Sequence, residues 1–346
     1  MLLRRFLVRF PWLIRACNRC LPAPLLRVLR SWAEKLKYRD VPQVHDLPAI
    51  CHYWSHTHLL PLLQEAGCNG HEDFMLQHIL RFRHKPLIRI VSIGSGNCEP
   101  DLRLVKALQA EGVGNLRYEC VEFNGAMLAR ARREAELQGL GALMTFTQAD
   151  LLHWQPAHQY EIVFACQCLH HIVELERVFA VIEQALSEDG LFLIDDIIGR
   201  NGHQRWPEAL AMIEPLWATL DDKYKYHHLH GVTNHRFVNW DCSLTGFEGI
   251  RAQDILPLLL ERFHFESFLA FGNLIDVFIE RPYGPNFDVD NPSDRAFIDK
   301  VHAMDQAALE AGRIKPTHLL AALCKYPVAQ TRTIRQLTPA SCVRRC

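Results

Sequence analysis

Residues 87–99, Leu-Ile-Arg-Ile-Val-Ser-Ile-Gly-Ser-Gly-Asn-Cys-Glu, constrain this chain more than any other stretch. Ile88, Ile90, Val91 and Ile93 form a short apolar run that reads as a buried strand, and Gly94-Ser-Gly96 breaks it. A helical pattern opens at Pro100, whose missing N–H is not needed in a first helical turn. Strand, glycine turn and helix in that order present backbone N–H groups and a helix N-terminus to a nucleotide in a doubly wound α/β sheet. The bland alternative is a strand–helix turn that binds nothing. Glu99 stands where a dinucleotide fingerprint has its third glycine, which disfavours NAD or FAD and leaves a turn suited to a single nucleoside.

From residue 87 onward, strand and helix patterns alternate, as a parallel sheet requires. Leu116–Glu122 reads as a second strand ending in an acid, and Asn124 caps a helix carrying Met127, Leu128, Ala131 and Ala135. A carboxylate at the end of a second strand can accept bonds from both hydroxyls of a ribose. A third strand from Met144 runs towards Asp150, which either takes an exocyclic amine or closes a turn. Tyr160–Cys166 reads as the fourth strand, running into Gln167-Cys-Leu-His170-His171. A helix with Val178, Ile182 and Leu186 follows, and a fifth strand ends at Asp195-Asp196.

The successive motifs Ile93-Gly-Ser-Gly, Cys120-Val-Glu-Phe-Asn-Gly-Ala-Met-Leu, Gln148-Ala-Asp, Cys168-Leu-His-His-Ile and Leu186-Ser-Glu-Asp-Gly-Leu-Phe-Leu-Ile resemble those of class I S-adenosylmethionine-dependent methyltransferases, in that family's order over residues 87–198. The resemblance implies a Rossmann-like, doubly wound seven-stranded α/β sheet whose last strand is antiparallel. S-adenosyl-L-methionine is the cofactor it implies. Gly94 and Gly96 would approach the methionine portion, Glu122 would hold the ribose, and Asp150 would lie near the adenine. Ser92, Phe123, Leu151 and Cys166 complete the implied cofactor contacts. Cys98 departs from the pattern, because many members have the last glycine of the loop there. The later motifs Gly199-Arg-Asn-Gly-His-Gln-Arg-Trp and Phe247-Glu-Gly-Ile-Arg-Ala-Gln-Asp resemble bacterial members without an assigned acceptor.

Around this domain, taken as residues 87–326, the chain divides unevenly. Residues 1–39 carry ten Lys/Arg and one Glu, a net of +9, against a whole-chain charge of −1. Leu2, Leu3, Phe6, Leu7, Phe10, Leu13 and Ile14 share one helical face, with Arg4, Arg5, Arg9 and Arg15 off it. Two readings of residues 1–40 compete: a helix docked on protein, which is the commoner fate, and a helix lying in an anionic membrane interface. Arginines inside the apolar run argue against a signal peptide, and the chain has no run of about 18 apolar residues to cross a membrane. Residues 41–86 read as a helical lead-in, 199–250 as an insertion covering the acceptor, and 327–346 as a tail. Arg251–Phe263 reads as a helix, His264–Phe271 as the sixth strand and the stretch from His318 as the seventh.

The near-neutral charge gives no field that calls for nucleic acid. Twelve scattered cysteines suit a reducing compartment, so a cytoplasmic location is expected, at the inner membrane face if the N-terminus binds lipid. No metal is expected: Cys17-Asn-Arg-Cys20 has no second pair, and His227, His228, His230 and His235 match no common tetrahedral spacing.

The function expected is methyl transfer to a hydroxyl or amine of a small-molecule, sugar or lipid acceptor. The alternatives are a non-catalytic nucleoside-binding protein on the same fold and a dinucleotide-dependent oxidoreductase. A hydroxyl acceptor needs a base at or beyond the ends of strands four and five, which restricts it to His203, His171, His170, Asp196 and Asp195. His203, beside Arg205 and Trp206 on the insertion, ranks first. One of the adjacent pair His170/His171 is equally at home as a ring packed under the cofactor.

Overall fold

The structure is a computed structural model that describes Pro22, Leu25 and residues 46–344 apart from Thr245. The basic segment 1–39 lies outside the described residues, those two positions excepted.

Strands β1 (Ile88–Ile93), β2 (Leu116–Glu122), β3 (Met144–Gln148), β4 (Tyr160–Cys166), β5 (Leu186–Ile197), β6 (His264–Phe271), β7 (His318–Cys324) and β8 (Arg332–Thr333) form one sheet in the order β8-β6-β7-β5-β4-β1-β2-β3. β1 pairs in parallel with both β2 and β4, so the strand order reverses there, and the crevice beyond that reversal is where such sheets bind ligands. The register aligns the strand ends. Ile93 lies opposite Val121 and Ala165, Cys166 opposite Asp195, and Ile197 opposite His318 on antiparallel β7. Every loop leaving these ends therefore emerges on one edge.

The apolar runs are continuous because both faces are covered. Along β1, Ile88 and Ile90 face one buried cluster while Val91 and Ile93 face the other. β5 divides in the same way, with Leu191 and Leu193 on one side and Phe192 and Ile194 on the other. The helix Leu175–Ala185 buries Leu175, Val178, Phe179 and Ile182 at helical spacing. Phe179 meets Phe192 and Phe263 edge-on at 6.2 and 6.3 Å. The lead-in joins the same core: Ile50, Trp54, Phe74 and Ile79 are buried in the cluster that covers Ile88 and Ile90.

Two expectations need correcting, the strand count and the tail. The sheet has eight strands rather than seven, because residues expected as a tail return to it. Arg332–Thr333 pairs in parallel with Ser267 and Phe268, so the antiparallel β7 is not the last strand. After it, Ile334 and Cys342 are buried, and a reciprocal Thr338–Ser341 capping box starts the short helix Pro339–Cys342. The four histidines at 227–235 do not converge as a metal site would: His227 stacks on His230, while His228 meets Asn286 and His235 meets Asp222.

Candidate active site

The loop after β1 takes the path a glycine turn requires. Gly94 has φ 61°, and a Cβ there would lie 2.6 Å from the Cβ of Cys168, so packing between loops, as well as conformation, excludes a side chain. Cys98, the departure from the family pattern, has φ 57° and is fully buried. It therefore keeps the left-handed turn a glycine would make, and the helix Glu99–Ala110 starts directly behind it with Pro100 in its first turn.

Glu122 ends β2 and is buried. Gly96 N–H donates to its Oε2 at 3.0 Å and Asn124 N–H to its Oε1 at 2.8 Å. Burial pushes its pKa up, and the backbone donors act against that. A carboxylate offers about four acceptor positions, and Phe123 N–H also bonds this one, so about one remains for a ribose hydroxyl. Beside it, Asn124 caps the helix Gly125–Leu137 through Oδ1, while its buried Nδ2 has no partner. Asp150 Oδ1 accepts from Leu152 N–H at 3.0 Å, so it closes a turn at the edge of the crevice. Ser92 and Cys166 sit at the ends of β1 and β4, with Phe123 and Leu151 half-buried in the loops after β2 and β3. Desolvation keeps the Cys166 thiol protonated. An acid with a spare acceptor position, a buried unpaired amide and a left-handed glycine loop fit a nucleoside bound at this edge.

The five candidate bases divide sharply. Asp196 is fully buried and accepts from the N–H groups of Cys168, Leu169 and Ile197 at 2.7–2.8 Å and from His170 Nδ1 at 2.6 Å. It fastens the loop after β4 to β5 and has no free lone pair facing an acceptor, so it is removed as a base. Asp195 is committed too, with His71 Nδ1 2.6 Å from Oδ2 and Gln167 Nε2 3.1 Å from Oδ1. Burial pushes its pKa up, but the His71 charge and hydrogen bond outweigh that and hold it below the ordinary carboxylate value. His170 is buried between Asp196 and Glu248. Burial acts to lower its pKa, and the two carboxylates overcome it, pushing the imidazole up to about 10. Both of its ring nitrogens face carboxylates, so neither is open towards an acceptor.

His171 and His203 remain. His203 Nε2 lies 3.0 Å from Glu248 Oε1, and its Nδ1 is buried without a partner. His203 has φ 55°, a strained conformation for a side-chain-bearing residue, and the preceding Gly202 has φ 65° with no room for a Cβ, which would fall 2.0 Å from Asp241 Oδ1. Gly202 N–H donates to Gly249 O at 2.7 Å and Ile250 N–H to His170 O at 3.0 Å, so the two ends of the insertion are tied to each other and the far end to the loop after β4. Glu248 is the residue that sequence reasoning did not select. Its Oε1 lies 3.0, 3.4 and 3.9 Å from the Nε2 atoms of His203, His170 and His171. Its motif, Phe247-Glu-Gly-Ile, was visible, but nothing in spacing shows that it folds onto residues 78 positions upstream.

A cleft of about 510 Å³ lies elsewhere, between the end of the helix Pro292–Glu310 and residues 335–342. It brings together none of the candidate residues, so the chemistry points to the strand edge rather than to this cavity.

A sheet with reversed strand order, a glycine turn and an acid closing β2 define a nucleoside-binding α/β protein. A family model described as a methyltransferase domain matches residues 90–190, the span that builds this crevice. Sterol 24-C-methyltransferase erg6 of Aspergillus fumigatus is 27% identical over 106 residues, which is 30% of this chain and 26% of that protein. Sterol 24-C-methyltransferase ERG6B of Gibberella zeae is 27% identical over 123 residues, 35% of this chain and 30% of that protein. The chain thus spans about a quarter to a third of the length of these curated relatives. Among solved structures, the [4+2]-cyclase SpnF is 14% identical, with 81% of this chain and 96% of that chain covered at a TM-score of 0.41. A sarcosine dimethylglycine methyltransferase from Galdieria sulphuraria, itself described as putative, is 12% identical over 73% and 85%, at a TM-score of 0.44. Residues 90–190 thus match a methyltransferase domain, and the motifs and relatives support the class I S-adenosylmethionine-dependent type, whose cofactor is S-adenosylmethionine.

Proposed function

We propose that the protein transfers a methyl group from S-adenosylmethionine to a hydroxyl, or an amine, of a small-molecule, sugar or lipid acceptor held under the insertion 199–250. The observation that carries this reading is the gathering of His171, His203 and Glu248 just beyond the ends of β4 and β5, on the same edge as Glu122. Bound S-adenosylmethionine supplies the electrophilic methyl group. Glu122 and the Gly94–Gly96 turn hold and orient the nucleoside, and Asp196 fixes the loop that carries His170 and His171. Positioning contributes most of the rate, because attack on a methyl carbon needs the lone pair aligned with the bond that breaks. A hydroxyl acceptor also loses a proton, which passes into the His171–His203–Glu248 cluster.

The test is product mass spectrometry with labelled S-adenosylmethionine and acceptor-bearing extracts, with calorimetry against S-adenosylhomocysteine. Binding without turnover in any extract would favour the non-catalytic reading. A product methylated at carbon, as the names of the curated relatives describe for them, would replace the hydroxyl or amine acceptor. Peripheral contact with anionic membrane through residues 1–39 is also proposed, on their net charge of +9. Liposome flotation of the full chain against one starting near residue 41 tests it, and equal flotation would favour docking on protein. Among the described residues no helix is long and apolar enough to cross a membrane.

A further inference from the structure

We propose that His170, His203 and Glu248 form a binding site for one divalent first-row transition-metal ion, of the Zn²⁺ or Fe²⁺ type. Two of the three ligand separations already suit a metal. Two bonds of about 2.0–2.1 Å that meet at a metal at 90–110° place their donors about 2.8–3.4 Å apart. Glu248 Oε1 lies 3.0 Å from His203 Nε2 and 3.4 Å from His170 Nε2. All three ligand atoms fall within 4.8 Å of one another.

The surroundings are those of a built site rather than a chance meeting of side chains. A ligating imidazole is commonly oriented by a carboxylate on its other nitrogen. His170 has this arrangement: Nδ1 lies 2.6 Å from Asp196, itself fixed by three backbone N–H groups, and Nε2 turns towards Glu248. His203 is set in place by a strained backbone locked against Gly249, with Nε2 turned towards Glu248. Two imidazoles and one carboxylate suit Zn²⁺ or Fe²⁺, whereas Mg²⁺ and Ca²⁺ take mostly oxygen. Three protein ligands leave a tetrahedral ion one open position, the pattern of catalytic rather than structural sites. A second cluster nearby, Asp276, Glu280 and His318, does not share these features, because Thr317 and Arg205 already bond Asp276 at 2.6 and 3.1 Å.

This deepens the proposed function and rests on the reading that the acceptor lies over the same side chains. It assigns His203 and Glu248 to the ion, which would bind an acceptor oxygen at its open position, and leaves His171, 3.9 Å from Glu248, to receive the proton. The test uses the full chain with neither cofactor nor acceptor, so its failure is distinguishable from failure of the methyl-transfer reading. The chain is stripped with EDTA, dialysed and titrated calorimetrically with Zn²⁺, Co²⁺ and Mg²⁺, with visible absorption recorded for Co²⁺. The expected result is one Zn²⁺ or Co²⁺ per chain and no comparable Mg²⁺ binding. Glu248→Gln and His203→Asn should each lower Zn²⁺ affinity by more than the roughly 10- to 100-fold that a lost outer-shell partner costs. Unchanged S-adenosylhomocysteine affinity in both variants shows that they are folded. No bound ion, equal Mg²⁺ binding, or Zn²⁺ binding that both variants retain would overturn the proposal.

Discussion

The two halves of the crevice are built on different principles. On the side proposed for the cofactor, each group lies at or directly after the end of its own strand. Gly94 and Gly96 follow β1, Glu122 closes β2, and Asp150 lies two residues beyond β3. On the side proposed for the acceptor, the same logic supplies His170 and His171, but His203 and Glu248 arrive from an insertion folded back over the sheet edge. The first half is a property of the sheet. The second is a property of one insertion, and it can change without altering the sheet.

Breaking the joint between the halves should have the largest effect. Asp196 belongs to both, since it holds the loop after β4 and orients His170. Asp196→Ala leaves three backbone donors and the buried His170 ring without their acceptor, at a cost of about 3–5 kcal/mol. Urea denaturation measures it, and a loss below about 1 kcal/mol would show that the network is replaceable.

Next come the variants that should separate the halves. Glu248→Ala and His203→Ala should each lower turnover by about 100-fold or more and leave S-adenosylhomocysteine affinity unchanged. Weakened cofactor binding in either would mean that the insertion also shapes the cofactor side. If both stay fully active while His171→Ala does not, the proton leaves through His171 alone. The reciprocal variant, Glu122→Ala, removes charge-assisted acceptor bonds worth about 1.5–3 kcal/mol, so calorimetry should show binding weakened roughly ten- to hundredfold. An unchanged dissociation constant in the folded variant would take Glu122 out of the site.

This difference also explains what could be read in advance. Apolar runs, glycine turns and caps are local, so β1 to β5, the Asn124 cap and the position of Glu122 follow from neighbouring residues alone. The eighth strand could not be read this way. Arg332-Thr333 is two residues long and polar, and it pairs only because Ser267 and Phe268 leave a parallel edge open beside it. Glu248 was hidden for a related reason: its role depends on a backbone bond between Ile250 and His170, far apart in the chain. Asp195 and Asp196 looked alike, as adjacent acids ending one strand. Alternation sends them to opposite faces of the sheet, one towards His71 and the other beneath His170, and only the partners reveal that neither is a base.

The smallest effect concerns that His71–Asp195 pair, which ties the lead-in helix His71–Leu80 to the sheet at the cofactor edge. For His71, burial acts to lower the pKa, and the Asp195 charge and hydrogen bond more than offset it, leaving it raised above 6.5; the Asp195 carboxyl is lowered below 3.8. A raised histidine pKa stabilises the fold fully below the unfolded value of about 6.5, and the gain is lost as pH rises through the folded value. A lowered carboxyl pKa stabilises above the unfolded value of about 3.9, and the gain is lost as pH falls through the folded one. The pair therefore contributes its full stability between about pH 4 and 6.5. The His71 side chain is 37% exposed, so solvent screening keeps the contribution to about 1 kcal/mol or less. His71→Gln and Asp195→Asn, alone and combined, should each flatten the decline in melting temperature between pH 6.5 and 9 relative to the unmodified chain. The double variant should add nothing to either single one. A decline that survives in all three would assign the pH dependence to other histidines and leave this contact a hydrogen bond between neutral partners.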